Sequence, residues 1–262
     1  MTKLLLFVSL SFLIYSCDNQ GAQHVSADSP KNTDLIQMNL KGSVQSMTES
    51  SYTADSLGKT DKVDSITTEF FFDDRGYLQK QTSKDQTGAI TEELNFTRNE
   101  KGTLTEFTNV KKGKLSSRLV TEIAEDGLTY TGGRTFDSTG KQDSYYGDLK
   151  TNEYGIVYAG KQYKLDSTIK NEWEMRFDKA NFVGGISKDS TGKESYNGSV
   201  KLNDKRDAAS ETSTTRDKDS TKTESFTYTY EKYDDKGNWL QRTAVKDGKT
   251  SKILKREFIY FK

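Results

Sequence analysis

Three residue types are nearly missing from this 262-residue chain, which has one cysteine, one proline and one histidine. The lone Cys17 excludes a disulfide within the chain. The lone His24 lies in a polar stretch near the N-terminus, so serine–histidine and cysteine–histidine nucleophiles and histidine-bearing zinc sites are excluded. Neither charge dominates: 39 basic residues face 39 acidic ones, with no basic stripe, which excludes a nucleic-acid partner. No glycine-rich phosphate loop opens a helix. Asp217-Lys218-Asp219-Ser220-Thr221 has the start of a calcium loop, but Lys222 stands where the glycine belongs and Tyr228 where the glutamate belongs. These absences leave no expected cofactor or metal.

What is present begins with a targeting segment over residues 1–17. Lys3 supplies the positive start, and Leu4–Tyr15 is an apolar run too short for a comfortable transmembrane span. It ends at Ile14-Tyr15-Ser16-Cys17, which resembles the lipobox of bacterial lipoproteins. The resemblance implies cleavage before Cys17 and acylation there, so Cys17 is the expected lipid attachment and the outer membrane the expected address. Residues 18–39 are polar and read as a flexible tether. Residues 40–262 form one compositional block, within the size that single all-β domains reach.

The organising feature of that block is a turn. Asp or Asn leads, two polar residues follow, then glycine, as in Asp73-Asp74-Arg75-Gly76 and Asp234-Asp235-Lys236-Gly237. The leading carboxylate or amide accepts from backbone two residues on, and the glycine takes a left-handed conformation at no steric cost. Gly76 and Gly237 are therefore expected at positive φ. The spacing recurs at Asp55/Gly58, Asp85/Gly88, Asn99/Gly102, Asp137/Gly140, Asn152/Gly155 and Asp189/Gly192. One series, Asp73, Asn99, Asp126, Asn152, Asp178, Asn203 and Asp234, steps by 26, 27, 26, 26, 25 and 31 residues. A second series lies between its members and includes Asp166 and Asp217. Where the glycine is lost, Asn181 is its expected replacement after Asp178, and Asp166-Ser167-Thr168-Ile169 and Asn203-Asp204-Lys205-Arg206 are degenerate copies. A turn in the middle and one at the end of a repeat of about 26 residues defines a two-stranded unit.

Between the turns apolar and polar residues alternate. Ile169, Trp173, Met175 and Phe177 share one face, and Lys170, Glu172, Glu174 and Arg176 the other. Leu115, Leu119 and Ile123 do likewise with Ser117 and Thr121, and Phe226, Tyr228 and Tyr230 alternate with Thr227 and Thr229. Period two with one polar face is the antiparallel pattern. No helix is expected after the signal. About fourteen to sixteen strands in chain order cannot lie flat. The expected fold is all-β: a long antiparallel meander of ~26-residue hairpin repeats, strongly twisted and rolled, or an open barrel. A membrane barrel needs an apolar outer face, and these Lys/Glu-laced faces argue against it.

The stretch Tyr233-Asp234-Asp235-Lys236-Gly237-Asn238-Trp239-Leu240, with Phe72-Asp73-Asp74-Arg75-Gly76-Tyr77-Leu78, resembles the YD (RHS-like) repeat of bacterial envelope and toxin proteins. Its pattern is Tyr-Asp-x-x-Gly-Arg-Leu-Thr. Here Phe72 replaces Tyr, and Tyr77, Thr103 and Asn238 stand where Arg is usual. With the lipobox, the whole is similar to lipoproteins of Bacteroidetes-type bacteria. The resemblance implies a β-meander and no reaction.

The sequence thus points to a non-catalytic cell-envelope lipoprotein, membrane-bound through Cys17, whose sheet binds a protein or a glycan or is structural. The alternatives are an RHS-like toxin-associated or immunity role and a carboxylate-dependent enzyme acting on polysaccharide. Turn aspartates have a structural reason to exist, so no catalytic residue is named. Tyr145 and Tyr146 are adjacent in a strand, so one points outward, and they are the candidate ligand surface. The long 203–234 step, with its Ser/Thr-rich 210–223 stretch, is the other place where the repeat breaks.

Overall fold

The computed structural model describes residues 32–54, 65–217 and 220–262. A short helix α1 (Asp34–Gln37) precedes β1 (Val44–Thr53), β2 (Ser65–Phe72), β3 (Leu78–Lys84), β4 (Ile90–Arg98), β5 (Leu104–Lys111), β6 (Lys114–Ile123), β7 (Tyr130–Phe136) and β8 (Gln142–Thr151). There follow β9 (Val157–Lys164), β10 (Ile169–Asp178), β11 (Asn181–Asp189), β12 (Glu194–Leu202), β13 (Ala208–Asp217), β14 (Ser220–Tyr233), β15 (Trp239–Lys246) and β16 (Lys249–Tyr260). Each strand pairs antiparallel with its chain neighbours, and β1 pairs with β16, so the meander closes into one barrel of sixteen strands. Met47 is the hinge of the closure, opposite Phe258 on one side and Phe70 on the other.

Register divides the wall into two faces. Met47, Leu78, Leu94, Phe107, Trp239 and Leu254 are buried on the inner face. The outer face carries ion pairs between adjacent strands: Lys80–Glu93, Arg118–Glu106, Arg134–Glu122 and Lys161–Asp148. Sixteen strands about 4.8 Å apart and tilted about 40° give a backbone radius of roughly 16 Å, wide enough for a water-filled bore. The apolar wall accordingly packs in three separate clusters, one around α1, β1 and β3, one on β11–β13 and one on β15–β16.

The turns fall at two ends. At one end lie those after β3, β7 and β11, each the same device. Asp85 Oδ1 accepts from the Thr87 amide at 2.9 Å, the Thr87 hydroxyl at 2.6 Å and the Ala89 amide at 3.1 Å, while Gly88 sits at φ 82°. Asp137 and Asp189 repeat this with Thr139 and Thr191. Lys112-Gly113 and Asp247-Gly248 at the same end are two-residue loops with both φ positive, the hairpin turn that matches strand twist. At the other end Gly76 and Gly237 stand at φ 89° and 92°, as expected.

Of the degenerate turns, two differ from expectation. After β9 the turn runs from Lys164 to Ser167, two residues earlier than an Asp166-led turn, and Ser167 takes the glycine conformation at φ 66°. After β12 the Asn203-led turn stands as expected, with Arg206 in the glycine conformation at φ 65°. After β10 the loop is only Lys179-Ala180, with Lys179 at φ 55°, because Asp178 and Asn181 pair across the ladder. Asn181 is a strand residue and does not replace the glycine. Asp55 and Gly58, and the tip of the turn led by Asp217, lie outside the described residues.

Residues 32–39 also correct the expectation of a tether through residue 39 and of no helix after the signal. Thr33 caps α1, its hydroxyl accepting from the Ile36 amide at 3.3 Å. Leu35, Met38 and Leu40 then enter the core with Val44, Met47, Phe72 and Leu78. The polar composition hid three apolar residues spaced to meet the wall. Residues 18–31 lie outside the described residues.

Candidate functional site

The strap over residues 33–43 crosses the end that holds the turns after β2, β4, β12 and β14, and closes it. Asp34 accepts from the Leu78 amide and from Arg98, both at 2.8 Å, and the Leu35 amide donates to Gly76 O at 3.1 Å. Burial pushes the Asp34 carboxyl above its ordinary range, against the opposing pull of Arg98 and the Leu78 amide. On the far side Asn39 donates to Asp207 at 2.6 Å, and the Lys41 amide to Asn238 at 2.7 Å. Four hairpins apart in sequence are thus tied by one segment.

Under the strap an aromatic and cationic cluster lines the wall. The Arg256 guanidinium lies 3.6 Å from the Trp239 ring centre and donates to Glu49 at 2.8 Å. Arg242 stacks on Trp239 and Tyr228 at 4.7 and 4.8 Å. The Tyr228 hydroxyl donates to Glu211 at 2.9 Å, and burial pushes its ionisation upward. Only a void of about 30 Å³ remains among these groups, room for one water. The cluster is a braced wall in which Arg256 is paired with Glu49 and Arg242 is held between the Trp239 and Tyr228 rings.

Neighbouring turns at this end are stitched by the residue before the glycine. Arg75 donates to Glu100 O at 2.7 Å, Lys101 to Asp126 O at 2.5 Å, and Lys205 lies 3.6 Å from the centre of the Tyr233 ring. That position holds Asp126 in the turn after β6 and Tyr154 in the turn after β8 instead of a cation. The next hairpin at this end is the shortened Lys179-Ala180 loop. Between the two the rim dips into a notch of about 240 Å³, lined by Asn152, Glu153, Tyr154, Tyr158, Met175 and Phe177, with Lys179 at its edge.

Tyr145 and Tyr146 do split between faces. Tyr145 points outward, stacked on Tyr163 at 5.1 Å with its hydroxyl donating to Ser167 at 3.0 Å. Tyr146 points inward, edge-on to Trp173 at 5.4 Å, and burial pushes its hydroxyl up to about 12. The two do not form one surface. The 203–234 step is long because β14 runs fourteen residues; Thr212 meets Ser225 and Thr214 meets Thr223 in an exposed hydroxyl ladder with no cleft. Sequence reasoning missed the notch, although Tyr154 replacing Arg75, Lys101, Lys205 and Lys236 was a readable signal. Cys17 and His24 lie outside the described residues. Among the described residues no group of three or more His, Cys, Asp or Glu is placed to hold a metal, and no helix is long and apolar enough to cross a membrane.

No known protein family matches the chain, and no curated protein does. Among solved structures, a porin-like protein from Bacteroides uniformis is similar with a TM-score of 0.53 and 11% identity, covering 82% of this chain and 96% of that one. At that identity the likeness is one of fold. A porin-like protein from Bacteroides vulgatus matches at a TM-score of 0.42 and 10% identity, over 83% of this chain and 98% of that one. The Tc holotoxin pore of Photorhabdus luminescens matches at 0.34 and 13% identity, over 79% of this chain and 11% of that one. Neither of these two scores carries an argument.

Proposed function

We propose that the chain is a non-catalytic lipoprotein of the outer membrane, anchored through Cys17, whose hollow barrel presents a binding surface to a protein or a glycan. The observation that carries this reading is the outer face. Ion pairs such as Lys80–Glu93 and Arg118–Glu106 stand where a barrel embedded in lipid needs an apolar band. A barrel that stands in water needs another attachment, and the lipobox at Ile14–Cys17 supplies one. The YD-like turns add a regular shell in which turn aspartates such as Asp73, Asp85 and Asp234 hold backbone amides. The porin-like likeness supports a barrel of envelope type and specifies no transport.

Metabolic labelling with a fatty-acid probe tests the anchor: the wild type is labelled and Cys17→Ala is not. Equal labelling of both defeats it. The non-catalytic part is tested by incubating the purified protein with polysaccharides and peptidoglycan. No reducing ends are released; turnover that survives repurification and is lost on changing one Asp or Glu outside the turns to Ala overturns it.

A further inference from the structure

The rim notch at Tyr154 is where the repeating lattice departs from its own rule, and such a departure is where a special shape arises. Its origin is local. The turn after β8 is a full Asn152–Gly155 turn, with Gly155 at φ 77°. The hairpin beside it has shrunk to Lys179-Ala180, since Asp178 pairs with Asn181 and Phe177 with Phe182. The missing residues leave a gap, and the aromatic rings of Tyr154, Tyr158 and Phe177 face it half-buried.

We infer that this notch is a saccharide subsite taking a pyranose ring of a neutral glycan; the inference rests on the binding-surface reading above and selects its glycan branch. The volume of about 240 Å³ holds one sugar ring but not a folded protein loop. The C–H face of a pyranose packs on aromatic rings, which Tyr154, Tyr158 and Phe177 supply, and its hydroxyls need donors and acceptors at the edge. Asn152 spends Oδ1 on the amides of Tyr154 and Ile156, both at 3.0 Å, which leaves Nδ2 to donate, and the exposed Glu153 carboxylate accepts. A peptide adding as a strand has nowhere to pair, because the barrel closes and leaves no sheet edge. The notch opens at the rim, so one ring seats while the rest of the chain runs outward.

The test is isothermal titration of the full-length lipidated protein in detergent with cellotetraose, maltotetraose and chitotetraose. At least one binds saturably, and Tyr154→Ala and Tyr158→Ala each weaken it about tenfold or more. Tyr154→Lys, which restores the cation used in sibling turns such as that of Lys101, also weakens it while the thermal midpoint stays at the wild-type value. Saturable binding by the wild type that all three variants retain places the glycan elsewhere and overturns the notch, with the glycan-binding reading intact. Failure of the wild type to bind any of the three sugars overturns the saccharide subsite and leaves the protein-binding branch.

Discussion

The two ends of the barrel are built from the same turn and put to opposite uses. At the uncapped end Asp85, Asp137 and Asp189 each spend their hydrogen bonds within their own loop: carboxylate to threonine hydroxyl, carboxylate to two amides, glycine closing the bend. At the capped end the same bend is a socket. Gly76 O receives the Leu35 amide, Asn99 reaches Gly127 O at 2.8 Å, and Asn238 bonds Lys41 O at 2.9 Å. A turn that is complete by itself tolerates change; a turn that also holds its neighbours does not. The difference begins inside the loop: the residue before the glycine is Thr87, Thr139 or Thr191 at the uncapped end, where it bonds its own aspartate, and Arg75 or Lys101 at the capped end, where it reaches the next turn.

The largest effect that sharpens this contrast is expected from Asp34→Ala. It takes the carboxylate from the Arg98 guanidinium, which keeps only Gly102 O and the face of Tyr77, and leaves the buried Leu78 amide unpaired, a loss of about 3–5 kcal/mol. The exposed pair Arg134–Glu122 on the outer wall is the control, and Glu122→Ala should not shift the denaturation midpoint. Similar losses at both sites would erase the distinction. Next come two glycines. At Gly76 a new Cβ meets Leu35 Cδ1 at 3.0 Å and the φ of 89° is left-handed, whereas at Gly140, with φ 80°, it meets nothing within 4 Å. Gly140→Val is expected to cost about 1–2 kcal/mol from backbone strain alone. Gly76→Val adds displacement of the strap, on the order of 3 kcal/mol in all. Equal costs in urea denaturation would mean that the strap does not bear on the turn.

The smallest effect is in pH. Hydroxyl and amide donors hold the carboxyls of Asp85, Asp137 and Asp189 below their ordinary range, and the Thr129 hydroxyl holds Asp126 down to about 2. Their folded values lie below the unfolded ones. Their stabilisation is therefore complete above about pH 4 and is lost as pH falls toward 2. Asp34 has the opposite sign: burial raises it, so acid relieves the cost of its charge. Amide exchange should thus show Thr87, Ala89, Thr139 and Lys141 losing protection on acidification before Leu78 does. Loss at Leu78 together with these four amides would contradict the assignment.

The barrel was legible because its signal is redundant. Glycine and aspartate recur at each bend, and faces such as Trp173/Met175/Phe177 against Glu174/Arg176 alternate without a break, so a rolled meander of about fourteen to sixteen strands follows from local chemistry alone. Closure was less legible, because the pairing of β1 with β16 joins residues 200 positions apart and no local rule specifies it. The strap was hidden by its composition: Leu35, Met38 and Leu40 are too few to show a period. At the site, Tyr145 and Tyr146 drew attention by adjacency, which fixes opposite faces but not accessibility. The notch needed comparison of one turn with its siblings, at a position where no single residue looks unusual.

The strap also sets a direction. The chain enters the barrel at the capped end, at residue 33, and fourteen residues lie between Cys17 and residue 32. Fully extended they reach about 50 Å at most, so with a lipid on Cys17 the barrel is moored like a bell hung from its crown. With the lipid there, the tether leaves from the capped rim, and among the described residues no strap crosses the opposite mouth. The notch at Tyr154 lies on the same rim from which the chain leads back toward Cys17.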